Sequence, residues 1–139
     1  MIEQKKYDLV VWGATGFTGQ LVCEYLASNY NVNYDSDLRW AIAGRNQTKL
    51  ENIRADLIKK NKGKGNLPVL IGDSHKVESL VEITAQTKVV LTTVGPYLHY
   101  GETLVSACIT TGTHYCDITG EIPFIWNTIH KLHDSALKA

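Results

Sequence analysis

Apolar positions along the chain fall into two alternating rhythms. Short apolar runs recur at YDLVVW (7–12), LRWAIAG (38–44), LPVLIG (67–72), KVVLTTVG (88–95) and THYCDI (113–118). They are nearly continuous rather than alternating, the pattern of strands covered on both faces. Helical periods lie between them. TGQLVCEYLASN (18–29) is the first; QTKLENIRADLIKK (47–60) places Leu50, Ile53 and Leu57 on one stripe. SHKVESLVEITAQ (74–86) does the same with Val77, Leu80 and Val81, and GETLVSACITTG (101–112) ends on Gly112, which suits a C-terminal cap. A last helical period, Ile125, Ile129, Leu132 and Ala136, runs through FIWNTIHKLHDSALKA. The resulting order βαβαβαβαβα predicts an α/β fold, a doubly wound parallel sheet in three α/β/α layers.

Length and composition narrow the picture. The 139 residues suit one domain over 1–139, with no internal boundary. Apolar residues make up 44%, charged residues 20%, and the formal net charge is zero. These are the values of an ordinary globular chain, and with no basic stripe nucleic acid is not an expected partner. No secretory h-region follows Met1 and no run reaches the length of a membrane span, which leads us to expect a cytoplasmic protein. The three cysteines, Cys23, Cys108 and Cys116, are an odd count and read as reduced thiols. The last helix stops without a cap, so we expect the chain to continue beyond Ala139.

The candidate chemistry begins directly after the first strand, in VVWGATGFTG (10–19). Three glycines stand three apart between a strand and a helix, the context of a dinucleotide-binding loop. Gly13 can make the tight turn, Gly16 can let the backbone approach a pyrophosphate, and Gly19 can let the helix pack close. Ala14, Thr15, Phe17 and Thr18 complete the loop, and the helix amides behind it would face the phosphates. The alternative is a structural turn in a cofactor-free domain.

The second strand ends in AIAGRNQTK (41–49), without the carboxylate that would bind a ribose 2′-hydroxyl. Arg45 stands where a 2′-phosphate would lie, with Asn46 and Lys49 beside it. The planar fork of arginine suits phosphate, so NADP(H) is expected ahead of NAD(H). Asp73, ending the third strand, either faces the adenine or caps the next helix. Gly95 and Pro96 make a stiff turn after the fourth strand, and Tyr97 follows at the level of the nicotinamide, as a cofactor contact, a catalytic candidate or a packing residue. Asp117 and Glu121 are the remaining acid–base candidates, with capping of the last helix as the other reading of Glu121.

Other constellations carry less. Cys108, His114 and Cys116 lack a fourth ligand at zinc spacing, so no metal is expected. His130 and His133 read as surface residues. The Asn46-Gln47-Thr48 triplet matches a glycosylation acceptor, but without a secretory signal it would not meet the machinery. The Tyr-x-x-x-Lys pair of short-chain dehydrogenases does not occur.

Taken together, GATGFTG, AGRNQTKL, TTVGPYLHYGE, LVSACITTGTHYCDITGE and HDSAL resemble the N-terminal part of saccharopine dehydrogenase-like oxidoreductases, from about Tyr7 onward. The resemblance implies an NADP(H)-type Rossmann domain followed by a mixed α/β substrate domain. It carries the cofactor loop onto Gly13 to Thr18 and the adenosine-phosphate residue onto Arg45. The nicotinamide turn falls on Gly95, Pro96 and Tyr97, and the border of the cleft on Asp117, Gly120 and Glu121. Related enzymes include fungal saccharopine reductase and bacterial enoyl reductases acting on lipid-like substrates. The expected function is hydride transfer between nicotinamide and a small-molecule carbonyl, imine or alkene, with this piece inactive alone; the alternative is a non-catalytic NADP(H) sensor or scaffold. A homodimer through the missing domain, and lipid or membrane association, are suggested by relatives and by no residue here.

Overall fold

The computed structural model describes residues 4–33 and 37–139. Five strands and five helices alternate: β1 Tyr7–Trp12, α1 Phe17–Tyr30, β2 Trp40–Gly44, α2 Gln47–Lys60, β3 Val69–Ile71, α3 Val77–Ala85, β4 Thr87–Thr92, α4 Tyr97–Thr110, β5 His114–Asp117 and α5 Ile122–Lys138. The strands form one parallel sheet in the order β3-β2-β1-β4-β5. Order reverses between β1 and β4, so the loops leaving their carboxyl ends open a crevice there.

Burial follows from this topology. The middle strands are sealed: Val10, Val11, Ala41, Ile42, Ala43 and Val90 are all inaccessible. One apolar cluster joins Val11, Ile42 and Trp40 to Cys23 and Leu26 of α1 and Leu50 and Leu57 of α2. A second, on the other face, joins Val10, Ala43 and Val90 to Leu80 and Ile83 of α3 and Leu104 and Ala107 of α4. The Trp40 indole buries its ring and donates to Asn31 O at 2.8 Å, so no polar cost attends the burial.

Coverage on both faces holds for the middle strands and fails at β5. That strand pairs with β4 alone, and His114 and Cys116 are exposed. The expected cover on both faces therefore does not extend to Cys116: edge position, not residue type, sets its exposure.

Helix ends show how local chemistry fixes the elements. Asn46 caps α2 by accepting from Lys49 N at 2.9 Å. α4 ends as expected at Gly112, whose φ of 59° suits glycine. There Gly112 N–H bonds Ile109 O at 3.3 Å and Thr113 N–H bonds Cys108 O at 2.8 Å. Lys5 ties the same end down, donating to Thr111 O at 2.8 Å and Thr113 Oγ1 at 3.1 Å.

Two expectations are corrected here. α4 starts at Tyr97, not at Gly101, because Pro96 presets the N-cap backbone with φ −65° and Gly101 lies inside the helix against the Phe124 ring. α5 forms, but it turns Phe124 and Leu132 inward and leaves Ile125 and Ile129 exposed.

Candidate cofactor site

The glycine loop sits at the crevice, and its three glycines do different work. Gly13 has φ +80°, and a Cβ there would stand 2.1 Å from Val94 Cγ2, so it makes the turn and lets the loops after β1 and β4 touch. Gly19 has no room either: its Cβ would meet Gly13 O at 2.2 Å, which makes it the close contact between α1 and the strand end. Gly16 differs. Its φ is −73°, and a Cβ there would find only Gly13 O at 3.5 Å, an ordinary contact. Neither backbone conformation nor packing asks for glycine at that position.

Behind Gly16 stands the amino end of α1. The first N–H groups of a helix lack intrahelical acceptors. At α1 the N-cap is Gly16, which makes no side-chain cap hydrogen bond, and no acidic residue occupies the first turn. The end is therefore partly positive and open, the arrangement that holds phosphate. Ala14 is buried, Thr15 and Thr18 are half-buried, and Phe17 is 82% exposed at the mouth.

A pocket of about 310 Å³ runs from this loop across the ends of β2 and β3. Gly13, Thr15, Arg45, Asn46, Lys49 and Asp73, all expected from sequence, line it together. Arg45 and Lys49 are exposed and enter none of the ion pairs among the described residues. Two cationic side chains thus face one pocket, with Asp73 also in its lining but in no ion pair with either among the described residues. Asp73 does not cap α3, which begins at Val77. Its Oδ1 accepts from His75 N at 2.9 Å and holds the loop as an Asx turn. Trp12, Gly44, Ser74, His75, Val94 and Tyr100 also line the pocket and were missed. The His75 and Tyr100 rings meet edge to face, 5.8 Å apart, although 25 positions separate them in the chain. Only their place after a strand end could have hinted at them.

The residues expected at the nicotinamide end form a separate group. Tyr97 is 6% exposed and packs on Phe124, ring centroids 5.7 Å apart. Its hydroxyl donates to Thr92 O at 3.1 Å. Burial raises its pKa, and the nearby Asp117 and Glu121 charges add to the shift, so the phenol stays protonated. Glu121 sends its carboxylate to α4, not to α5: Oε2 accepts from Tyr97 N at 2.5 Å and Oε1 from Leu98 N at 3.3 Å. Asp117 takes the Tyr115 hydroxyl at 2.6 Å and Thr119 N–H at 3.0 Å. Gly95 and Pro96 are exposed beside them.

A larger groove, about 510 Å³, lies between α4, α5 and the amino end of β5, away from the glycine loop. Among the described residues no three His, Cys, Asp or Glu side chains gather to hold a metal, and no helix is long and apolar enough to cross a membrane.

Comparison with known proteins places this geometry among relatives. The family described as saccharopine dehydrogenase NADP binding domain matches residues 9–139. A trans-acting enoyl reductase of Mycobacterium leprae is 40% identical over 134 residues, 96% of this chain and 30% of that protein. One of Mycobacterium tuberculosis is 39% identical over 133 residues, with the same shares covered. The chain thus spans under a third of the length of the curated relatives it matches. Among solved structures, apo saccharopine dehydrogenase (L-Glu forming) from Saccharomyces cerevisiae aligns with a TM-score of 0.64 at 20% identity, over 88% of this chain and 24% of that one. Citrobacter sp. triphenylmethane reductase complexed with NADP(H) aligns at 0.65 and 20%, over 94% and 45%. At such identities the structures speak for the fold.

Proposed function

The chain belongs to the saccharopine dehydrogenase NADP-binding domain family, and from that premise we propose that it forms the cofactor half of an NADP(H)-dependent reductase. The amides around Gly16 and the amino end of α1 hold the pyrophosphate. Arg45, with Lys49 and Asn46 beside it, holds the adenosine 2′-phosphate. Bound NADPH supplies a hydride, and the chain's own task is to bind and orient it.

The observation that carries this reading is the contrast within the loop. Gly13 and Gly19 are required by the fold, and Gly16 is not. A glycine without a structural reason, set before an uncapped helix end, leaves room for a ligand to touch the backbone. Two cationic side chains facing the same pocket supply the second part of a phosphate site.

Tyr97, Asp117 and Glu121 are assigned to holding the loops, because their polar atoms already serve protein partners. Proton transfer then falls to a group other than these three. For the substrate we favour an enoyl compound, on the likeness to trans-acting enoyl reductases. The test is NADPH oxidation by the full-length protein with an enoyl substrate. Consumption that depends on the substrate supports the reductase; tight NADPH binding without turnover on any enoyl, carbonyl or imine compound supports a sensor.

A further inference from the structure

The helix ends on the carboxyl side of the sheet are not equivalent. α1 opens bare onto the crevice. α4 opens onto the Glu121 carboxylate, brought from 24 positions further along the chain. That carboxylate is itself anchored. Glu121 N–H donates to Thr119 Oγ1 at 3.0 Å, Thr119 N–H donates to Asp117 Oδ1 at 3.0 Å, and the Tyr115 hydroxyl donates to Asp117 Oδ2 at 2.6 Å. A continuous series of hydrogen bonds thus runs from β5 to the first turn of α4. On the other side, Tyr97 ties that turn back to the end of β4 through Thr92 O.

Between these two attachments lie Gly95 and Pro96. The nearest atoms to a Cβ on Gly95 would be those of Tyr97, at 3.8–3.9 Å, and one on Gly120 would meet nothing within 4 Å. Packing forbids a side chain at neither position, so both flanks of the Glu121 contact present bare backbone.

We propose that Glu121 is a positioning residue for the nicotinamide end of the site, clamping the first turn of α4 so that the Gly95–Pro96 turn stands fixed against the ring. The proposal rests on the cofactor reading above. A carboxylate at a helix amino end is favoured by its charge-assisted bonds and by the helix dipole. With that end filled, the bare amino end of α1 beside Gly16 is left for phosphate. Glu121 acts through the backbone of α4 and so governs the nicotinamide half of the cofactor, leaving the adenosine half to Arg45.

The test measures dissociation constants of NADPH and of 2′,5′-ADP on the full-length protein and its Glu121→Ala and Glu121→Gln variants. Amide exchange at Tyr97 and Leu98 is followed in parallel. Glu121→Ala is expected to weaken NADPH about tenfold, the size of one charge-assisted hydrogen bond, with 2′,5′-ADP unchanged. Its Tyr97 and Leu98 amides should exchange faster. Glu121→Gln keeps an acceptor and should restore most of both effects. Faster exchange with unchanged NADPH affinity overturns the proposal, as does equal loss of both ligands in the Gln variant. If Glu121→Ala does not fold, Thr119→Val keeps the carboxylate but loosens its anchor, and it must show the same selective loss of NADPH. Wild-type protein that binds neither ligand refutes the cofactor reading itself and is recognised before any variant is made.

Discussion

Gly16→Ala and Gly19→Ala add the same methyl group three positions apart and should have opposite consequences. At Gly16 the backbone, φ −73° and ψ 163°, is open to alanine, and the new carbon would sit 3.5 Å from Gly13 O. Such a substitution stabilises through the unfolded chain by about 0.4–1 kcal/mol, a rise of roughly 1–4 °C in Tm for a chain of this size. At Gly19 alanine is the better helix former by about 1 kcal/mol. Its Cβ would nevertheless stand 2.2 Å from Gly13 O and 3.0 Å from Gly13 C, both backbone atoms. Overpacking of that kind costs about 1–3 kcal/mol or more, so a net loss is expected. Binding should reverse the order of harm at Gly16. A methyl group there holds the pyrophosphate away from the loop amides and removes at least one charge-assisted bond, a loss of roughly tenfold to a hundredfold in NADPH affinity. The assays are thermal unfolding without ligand and calorimetric titration with NADPH. A Gly16→Ala protein that keeps both its Tm and its NADPH affinity refutes the assignment of Gly16 to ligand approach.

Three further outcomes are expected. Arg45→Ala should cost NADPH binding about 1.5–3 kcal/mol while sparing NADH; equal losses in a titration would remove Arg45 from the 2′-phosphate. Asp8 is hydrogen-bonded to Arg39 and Lys88, which hold its carboxyl well below the usual carboxylate range. The lowered folded pKa means that this stabilisation is present above the unfolded value near pH 4 and is lost as pH falls through the folded one. Denaturant unfolding should therefore show a gap between wild type and Asp8→Asn at pH 7 that begins to narrow below about pH 4 and goes on shrinking as the pH falls further; a constant gap would contradict it. Burial pushes the Cys23 and Cys108 thiols up to about 12, whereas Cys116 is exposed. A thiol reagent at pH 8 should modify Cys116 in the folded protein and reach the other two only on unfolding; rapid labelling of Cys108 would show the α4 packing to be wrong.

Local patterns made the elements legible and long-range contacts escaped them. The first strand and the second helix fall on the ranges their patterns predict, because a sealed apolar run and an amphipathic stripe are each local properties. For α4 the pattern predicts a start four residues late, since a proline and a glycine both punctuate sequence. Only the fold shows that Pro96 is a cap and that Gly101 makes room for Phe124. In α5 the period revealed a stripe but not which side faces inward, and Phe124 with Leu132 took that side. The basic end of the pocket was visible because Arg45 and Lys49 follow β2 directly. The Glu121 contact with α4, the pairing of His75 with Tyr100 and the exposure of Cys116 depend on strand order, which a single stretch of sequence does not display.

The central claim is that the loop from Gly13 to Gly19 and the cations after β2 form one NADP(H) site. Calorimetric titration of the full-length protein with NADPH and with NADH tests it most directly. The account predicts that NADPH binds at least about tenfold more tightly, one charged hydrogen-bonded contact to the 2′-phosphate. Equal affinities, or tighter binding of NADH, would contradict it.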